Sequence, residues 1–228
     1  MKLGKFSLII SAAAFMSLNA SAVVYNTGYS VSTNGSGQLV DNLWKITQLQ
    51  QVPTGASLPN PPYPAFVLPA ATITWPWDLN APPVGSPNSL ATQWDSNQQP
   101  AFGGSDTNGM ITTYTLNFNA LAGAYSLYFE ADNYVDMYLG SVTLANRFYT
   151  EPANAPGDFL TWHNTTVNVA TSGANQLNIL VYNFPYPTQN YTGLRVNFGT
   201  IPAVPEPSSL ALMAGGLAAL VSAIKRRK

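Results

Sequence analysis

Tyr125-Ser-Leu-Tyr-Phe129-Glu-Ala-Asp132-Asn133-Tyr-Val135-Asp-Met137-Tyr-Leu139-Gly140-Ser141 is the stretch that decides the fold. Tyr125, Leu127, Phe129 and Ala131 fall on one side of an extended chain, and Ser126, Tyr128, Glu130 and Asp132 on the other. That period of two is the signature of a strand with one buried and one solvated face. Asn133 interrupts it, Val135, Met137 and Leu139 resume it, and Gly140-Ser141 ends it, which describes two strands joined at a turn.

The same pattern extends outward in both directions. Upstream, Tyr114, Leu116 and Phe118 alternate with Thr and Asn from Met110. Downstream, alternating runs cover Thr165–Val169, Leu177–Asn183 and Leu194–Phe198, each bounded by Gly, Asn or Pro. Nearer the start, Val24–Val31 and Leu39–Gln48 read as strands around an Asn34-Gly35-Ser36-Gly37 turn. Short strands at this spacing predict a single all-β sandwich with no helix longer than a turn in the body. The interval 52–87 holds ten prolines in 36 residues, a density that excludes a central strand. It predicts a long loop with Thr72-Ile73-Thr74-Trp75 as its one strand.

Composition narrows the function. Between Val23 and Ala203 the cations are Lys45, Arg147 and Arg195, against nine acids, so the body carries a net charge of −6 although the whole chain is near −1. Such a surface cannot neutralise a phosphate backbone, which excludes nucleic acid as a partner. The chain has no cysteine, which removes thiol nucleophiles and zinc–thiolate sites.

Both ends read as processing signals. Met1-Lys2-Leu3-Gly4-Lys5, the apolar run Phe6–Leu18 and the small residues Ala20-Ser21-Ala22 form a cleavable signal helix over Lys5–Asn19. Signal peptidase would cut after Ala22, with Ala20 and Ala22 in its pockets; an uncleaved anchor helix is the alternative. At the other end, Val204-Pro205-Glu206-Pro207 precedes Ser208-Ser209, an apolar run Leu210–Ile224 and Lys225-Arg226-Arg227-Lys228. The prolines keep the approach extended, a Ser caps the helix, and about 17 residues at about 1.5 Å each nearly span a hydrocarbon core. The basic end stays cytoplasmic, which puts the body outside.

These terminal residues closely resemble the PEP-CTERM sorting signal of Gram-negative bacteria. The resemblance implies recognition of Val204, Pro205, Glu206 and Pro207 by an exosortase-type membrane protease. It also implies a precursor anchored transiently in the inner membrane, then delivery to the cell surface or an extracellular matrix. An ordinary tail anchor is the alternative, but it leaves Pro205-Glu206-Pro207 unexplained. The domain plan is therefore a signal peptide over 1–22, a sandwich over 23–203 with the Pro-rich loop 52–87, and a sorting signal over 204–228.

A second, looser resemblance runs from Trp94-Asp95-Ser96 through Phe129-Glu-Ala-Asp-Asn-Tyr-Val-Asp-Met-Tyr-Leu-Gly140 to Gly173-Ala-Asn-Gln-Leu177 and Tyr191-Thr-Gly-Leu194. The order looks like the jelly-roll, galactose-binding-like domains common in PEP-CTERM proteins, with Leu139-Gly140-Ser141 where Leu-Asn-Gly is usual. It implies a jelly-roll fold more than any ligand.

Four constellations could carry chemistry. Glu130 and Asp132, two apart on one strand face, put carboxyls roughly 6–8 Å apart, a range that overlaps the spacing of an inverting glycosidase pair; they also read as solvent-face acids beside a turn. Asp132, Asn133 and Asp136 supply oxygens that could hold Ca²⁺, the one cofactor in question, or simply make a turn. His163, the only histidine, falls in an expected loop and reads as structural. Trp75, Trp77, Trp94, Trp162, Tyr63, Tyr186 and Tyr191, in or beside expected loops, offer flat faces on which sugars stack or plugs for the core. Trp75, Trp77, Trp162, Tyr186 and Tyr191 are the candidate carbohydrate contacts. The expected function is thus an exported, non-catalytic surface or matrix protein touching exopolysaccharide, the alternatives being a glycan hydrolase or lyase and a purely structural or adhesive coat component.

Overall fold

A computed structural model of the chain describes residues 22–23, 25–50, 59–68, 94–96, 110–151, 161–183, 192–198 and 201–202. Among these residues thirteen strands appear in chain order: β1 (Ala22–Val23), β2 (Val31–Thr33), β3 (Leu39–Gln50), β4 (Tyr63–Leu68), β5 (Trp94–Ser96), β6 (Met110–Ala120), β7 (Gly123–Asp132), β8 (Tyr134–Leu139), β9 (Arg147–Thr150), β10 (His163–Val169), β11 (Gly173–Asn183), β12 (Gly193–Phe198) and β13 (Ile201–Pro202). The only helical turn among the described residues is Leu144–Asn146. The expected signal and sorting helices lie outside the described residues.

Eleven strands form one antiparallel ladder in the order β10-β7-β12-β5-β4-β3-β6-β11-β8-β9, with β2 added to β3. Laid flat, β12 and β6 would stand four steps apart, about 19 Å at about 4.8 Å per step. Yet the Phe198 ring of β12 meets the Phe118 ring of β6 edge-on at 5.3 Å, and Phe129 of β7 meets Tyr149 of β9 at 5.2 Å. The ladder therefore closes on itself as a sandwich. One layer contains β10, β7 and β12 and the other β6, β11, β8 and β9, with β5, β4 and β3 carrying the ladder from one to the other.

The alternating residues fill the space between the layers. Leu127, Phe129, Ala131, Leu194 and Val196 from one side and Tyr114, Leu116, Val135, Met137, Leu177, Ile179 and Val181 from the other are all fully buried. Registers agree with this: Ile179 lies opposite both Tyr114 and Met137, and Phe129 opposite Val196, so inward faces align across neighbouring strands. The Asn34–Gly37 turn forms as its sequence predicts. Asn34 Oδ1 accepts the N–H groups of Ser36 and Gln38 at 3.0 Å each, and Gly37 takes φ +78°, where a side chain would be strained.

The structure corrects four expectations. Tyr63–Leu68 is a strand between β3 and β5, inside the interval read as loop. Pro64 is tolerated there because it stands opposite Lys45, next to a register shift between Val40 and Lys45. Thr72–Trp75 lies outside the described residues. Trp94, expected in or beside a loop, begins β5. The first expected strand is confined to Val31–Thr33. Before it, Tyr25–Ser30 is held by single bonds: Thr27 N–H to the Val196 carbonyl at 3.1 Å, Val196 N–H to Thr27 Oγ1 at 2.9 Å, and Trp44 Nε1–H to the Tyr25 carbonyl at 2.8 Å. Finally, the second half of β7 has no solvent face, as both Glu130 and Asp132 are buried.

At the boundary of the body, β1 pairs with β13, Ala22 opposite Pro202 and Val23 opposite Ile201. The segments following the expected signal and preceding the sorting motif thus leave the sandwich side by side.

Candidate functional site

The polar groups worth weighing sit at four places in this frame. On the outer side of the first layer, Glu130 and Arg195 are directly opposite across β7 and β12. Arg195 Nη1 donates to Glu130 Oε2 at 3.3 Å, and both side chains are enclosed. The Trp162 ring covers the guanidinium at 4.8 Å, a cation–π contact that replaces lost hydration. Asp132 follows on the same face and accepts a short hydrogen bond from the Asn133 amide. The buried carboxylate and guanidinium link β7 to β12, each offsetting part of the other's cost of leaving water.

On the outer side of the second layer, Asp136 is the acceptor of a small network. Tyr182 Oη donates to Asp136 Oδ2 at 2.9 Å and Tyr138 Oη donates to the same oxygen at 3.4 Å. Arg147 approaches Oδ1 at 3.6 Å. Tyr134 stacks on Tyr182 with ring centres 4.4 Å apart and 4° between planes. Burial pushes the Tyr182 hydroxyl up, reinforced by its bond to Asp136, so it stays a donor. Asp132 pairs along β12 while Asp136 pairs along β11 and β9, so the two acids of the expected calcium turn belong to different layers. Among the described residues no three acidic or histidine side chains lie at metal-binding spacing.

His163 opens β10 and is not in a loop. Opposite Phe129, it stacks on that ring at 5.5 Å, and its Nδ1 lies 3.1 Å from Glu151 Oε1. Burial lowers the imidazole pKa.

The fourth place went unnoticed in the sequence. Asp41 sits at a break in the β3 pairing, and its carboxylate accepts the N–H groups of Gly28 at 2.6 Å, Leu43 at 2.7 Å and Trp44 at 3.1 Å. It therefore ties the Tyr25–Ser30 crossing to β3. Asp95, in the middle of β5, is wholly enclosed nearby. Burial first, then the charge of Asp41, hold the Asp95 carboxyl well above the usual carboxylate range. An acid within a three-residue strand, Trp94-Asp95-Ser96, was the available signal, but only the fold places Asp41 beside it.

A shallow open depression at the β6–β11 end is lined by Asn117, Phe118, Asn119, Ala174, Asn175 and Gln176, and Glu130 and Asp132 are not among its walls. Of the aromatic candidates, Tyr63 is buried in β4 and Trp162 is half-buried over Arg195. Trp75, Trp77, Tyr186 and Tyr191 fall outside the described residues, as do Ala20 and the whole sorting segment.

An antiparallel β-sandwich with a separate C-terminal segment is the class to which the chain belongs. Residues 203–228 match the PEP-CTERM protein-sorting motif. The protein thus carries that motif at its end, which implies an exported, membrane-anchored precursor and processing by an exosortase-type membrane protease. No curated protein matches the chain. Among solved structures, it is similar to a β-glucosidase from Kluyveromyces marxianus, at 10% identity and TM-score 0.36 over 88% of this chain. It is also similar to a family 35 carbohydrate binding module from Clostridium thermocellum, at 18% identity and TM-score 0.24 over 39% of this chain and 69% of that one. A GH31 alpha-xylosidase from Xanthomonas citri matches at 7% identity and TM-score 0.32 over 79% of this chain and 19% of that enzyme. The chain spans 19% of the length of the β-glucosidase.

Proposed function

We propose that the sandwich is a non-catalytic component of the cell surface or extracellular matrix and contacts exopolysaccharide there. The observation that carries this reading is the PEP-CTERM motif at residues 203–228, attached to a sandwich whose described strands expose amides and hydroxyls. Asn117, Asn119, Gln176, Asn164, Thr166 and Asn168 are exposed amides and hydroxyls on its strands. Such groups donate and accept at once, as sugar hydroxyls do. The enclosed Glu130–Arg195 pair supports a structural use of the acid that a glycosidase would need. Trp75, Trp77, Trp162, Tyr186 and Tyr191 remain the proposed stacking contacts. Co-sedimentation with exopolysaccharide from the producing cells tests the reading. The expected result is retention that weakens in Trp75→Ala and Trp77→Ala; a protein that stays in the supernatant at every polysaccharide concentration would rule it out.

A further inference from the structure

Among the described residues, the ladder that builds the sandwich ends at two edge strands, β10 and β9, with β2 as a short side branch. A strand edge is a template for another chain unless something blocks it. Two of these edges are blocked. β9 has only four residues, begins at the exposed Arg147, and pairs with β8 through a register shift between Met137 and Tyr138. β2 has three residues. β10 is different: it runs seven residues, His163–Val169, in unbroken register with β7 from His163↔Phe129 to Val169↔Gly123. Asn164-Thr165-Thr166-Val167-Asn168-Val169 contains no charge and no proline. Asn164, Thr166 and Asn168 are exposed, and among the described residues β10 pairs on one side only.

We propose that β10 pairs antiparallel with β10 of a second copy of this chain, joining two sandwiches into one ladder across a two-fold axis. The strand is complementary to itself. With the axis at Thr166, Thr166 meets Thr166, Asn164 meets Asn168 and Thr165 meets Val167. Hydroxyls and amides then face one another on the exposed side, β-branched groups face one another on the core side, and no like charges meet. A protein delivered to a surface or matrix gains from this a dimer built without a hydrophobic patch.

The chain has no cysteine, so Thr166→Cys in the full chain, purified in detergent, places one thiol at the axis. Residues opposite each other in antiparallel strands have Cα atoms about 4.5–5.5 Å apart, within the disulfide range of about 4.4–6.8 Å. Mild oxidation is expected to give a covalent dimer, whereas Gln176→Cys, exposed on the other layer, is expected to give no covalent dimer. In the cysteine-free chain, Thr166→Lys is expected to halve the mass measured by ultracentrifugation and to abolish the concentration dependence of the melting temperature. Mixing it with Thr166→Glu is expected to restore the dimer. Equal cross-linking at positions 166 and 176 would overturn the proposal. So would a mass that Thr166→Lys leaves unchanged, or a wild-type chain that is monomeric at about 100 µM.

Discussion

Asp95 lies inside the sandwich next to Asp41, and the two carboxyl groups are enclosed with different partners. Asp41 accepts three backbone N–H groups, whereas Asp95 stands close enough to Asp41 to feel its charge and to share a carboxyl hydrogen bond with it. Burial raises both carboxyls, but the three N–H groups offset part of that at Asp41, while at Asp95 the Asp41 charge adds to it, so the proton rests on Asp95. Tyr114, also fully enclosed, points its hydroxyl at the Asp95 carbonyl at 3.5 Å and is pushed up by the same burial.

This pair fixes a pH dependence. The folded chain keeps the Asp95 proton, while the unfolded chain loses it above about pH 4. Stability from this group is therefore fully present below that value and is lost as pH rises toward the folded-state pKa. Asp95→Asn keeps the shape without the ionisation. Its melting temperature is expected to converge on wild type near pH 4 and exceed it increasingly toward pH 8. Parallel melting profiles across that range would refute the assignment.

Asp41→Ala removes the acceptor of three N–H groups at once. Each buried donor left without its acceptor costs about 1–3 kcal/mol, so a loss of about 3–5 kcal/mol is expected from denaturant titration. A change below about 1 kcal/mol would mean that the Tyr25–Ser30 crossing is held by its other bonds.

Glu130→Ala leaves the enclosed Arg195 without the carboxylate opposite it, and a loss of about 3–5 kcal/mol is expected. The double variant Glu130→Leu, Arg195→Met is expected to recover most of that loss, as apolar groups of similar volume replace both charges. If the double variant is as unstable as the sum of the singles, the pair does more than neutralise itself.

Asp136 is occupied by Tyr182, Tyr138 and Arg147, so melts with calcium and with chelator are expected to coincide. A calcium-dependent rise in melting temperature that disappears in Asp136→Asn would support the metal reading.

For the tail, Glu206→Ala or Pro207→Ala is expected to leave the C-terminal segment attached and the protein in the membrane fraction. Immunoblots of fractionated cells read this directly; mutants that mature as wild type does would remove the sorting role of Glu206 and Pro207.

The sequence by itself determined which side chains of each strand face the core, and it carries the sorting motif. Alternation at Tyr114–Phe118, Tyr125–Ala131, Val135–Leu139 and Leu177–Val181 is a local property, because side chains two apart share a face wherever the strand ends up. The Asn34–Gly37 turn and the sorting motif are contiguous for the same reason. Tertiary structure decided which polar groups meet. Tyr63–Leu68 became a strand because β3 and β5 flank it and a register shift accommodates Pro64, which no proline count could show. Glu130 and Arg195, 65 positions apart, form a pair only because β7 and β12 are neighbours. Asp41 and Asp95 share a buried space only because the ladder folds over. Period-two patterning states that a residue faces in or out; what it finds there depends on strand order, and strand order is set by packing of the whole chain.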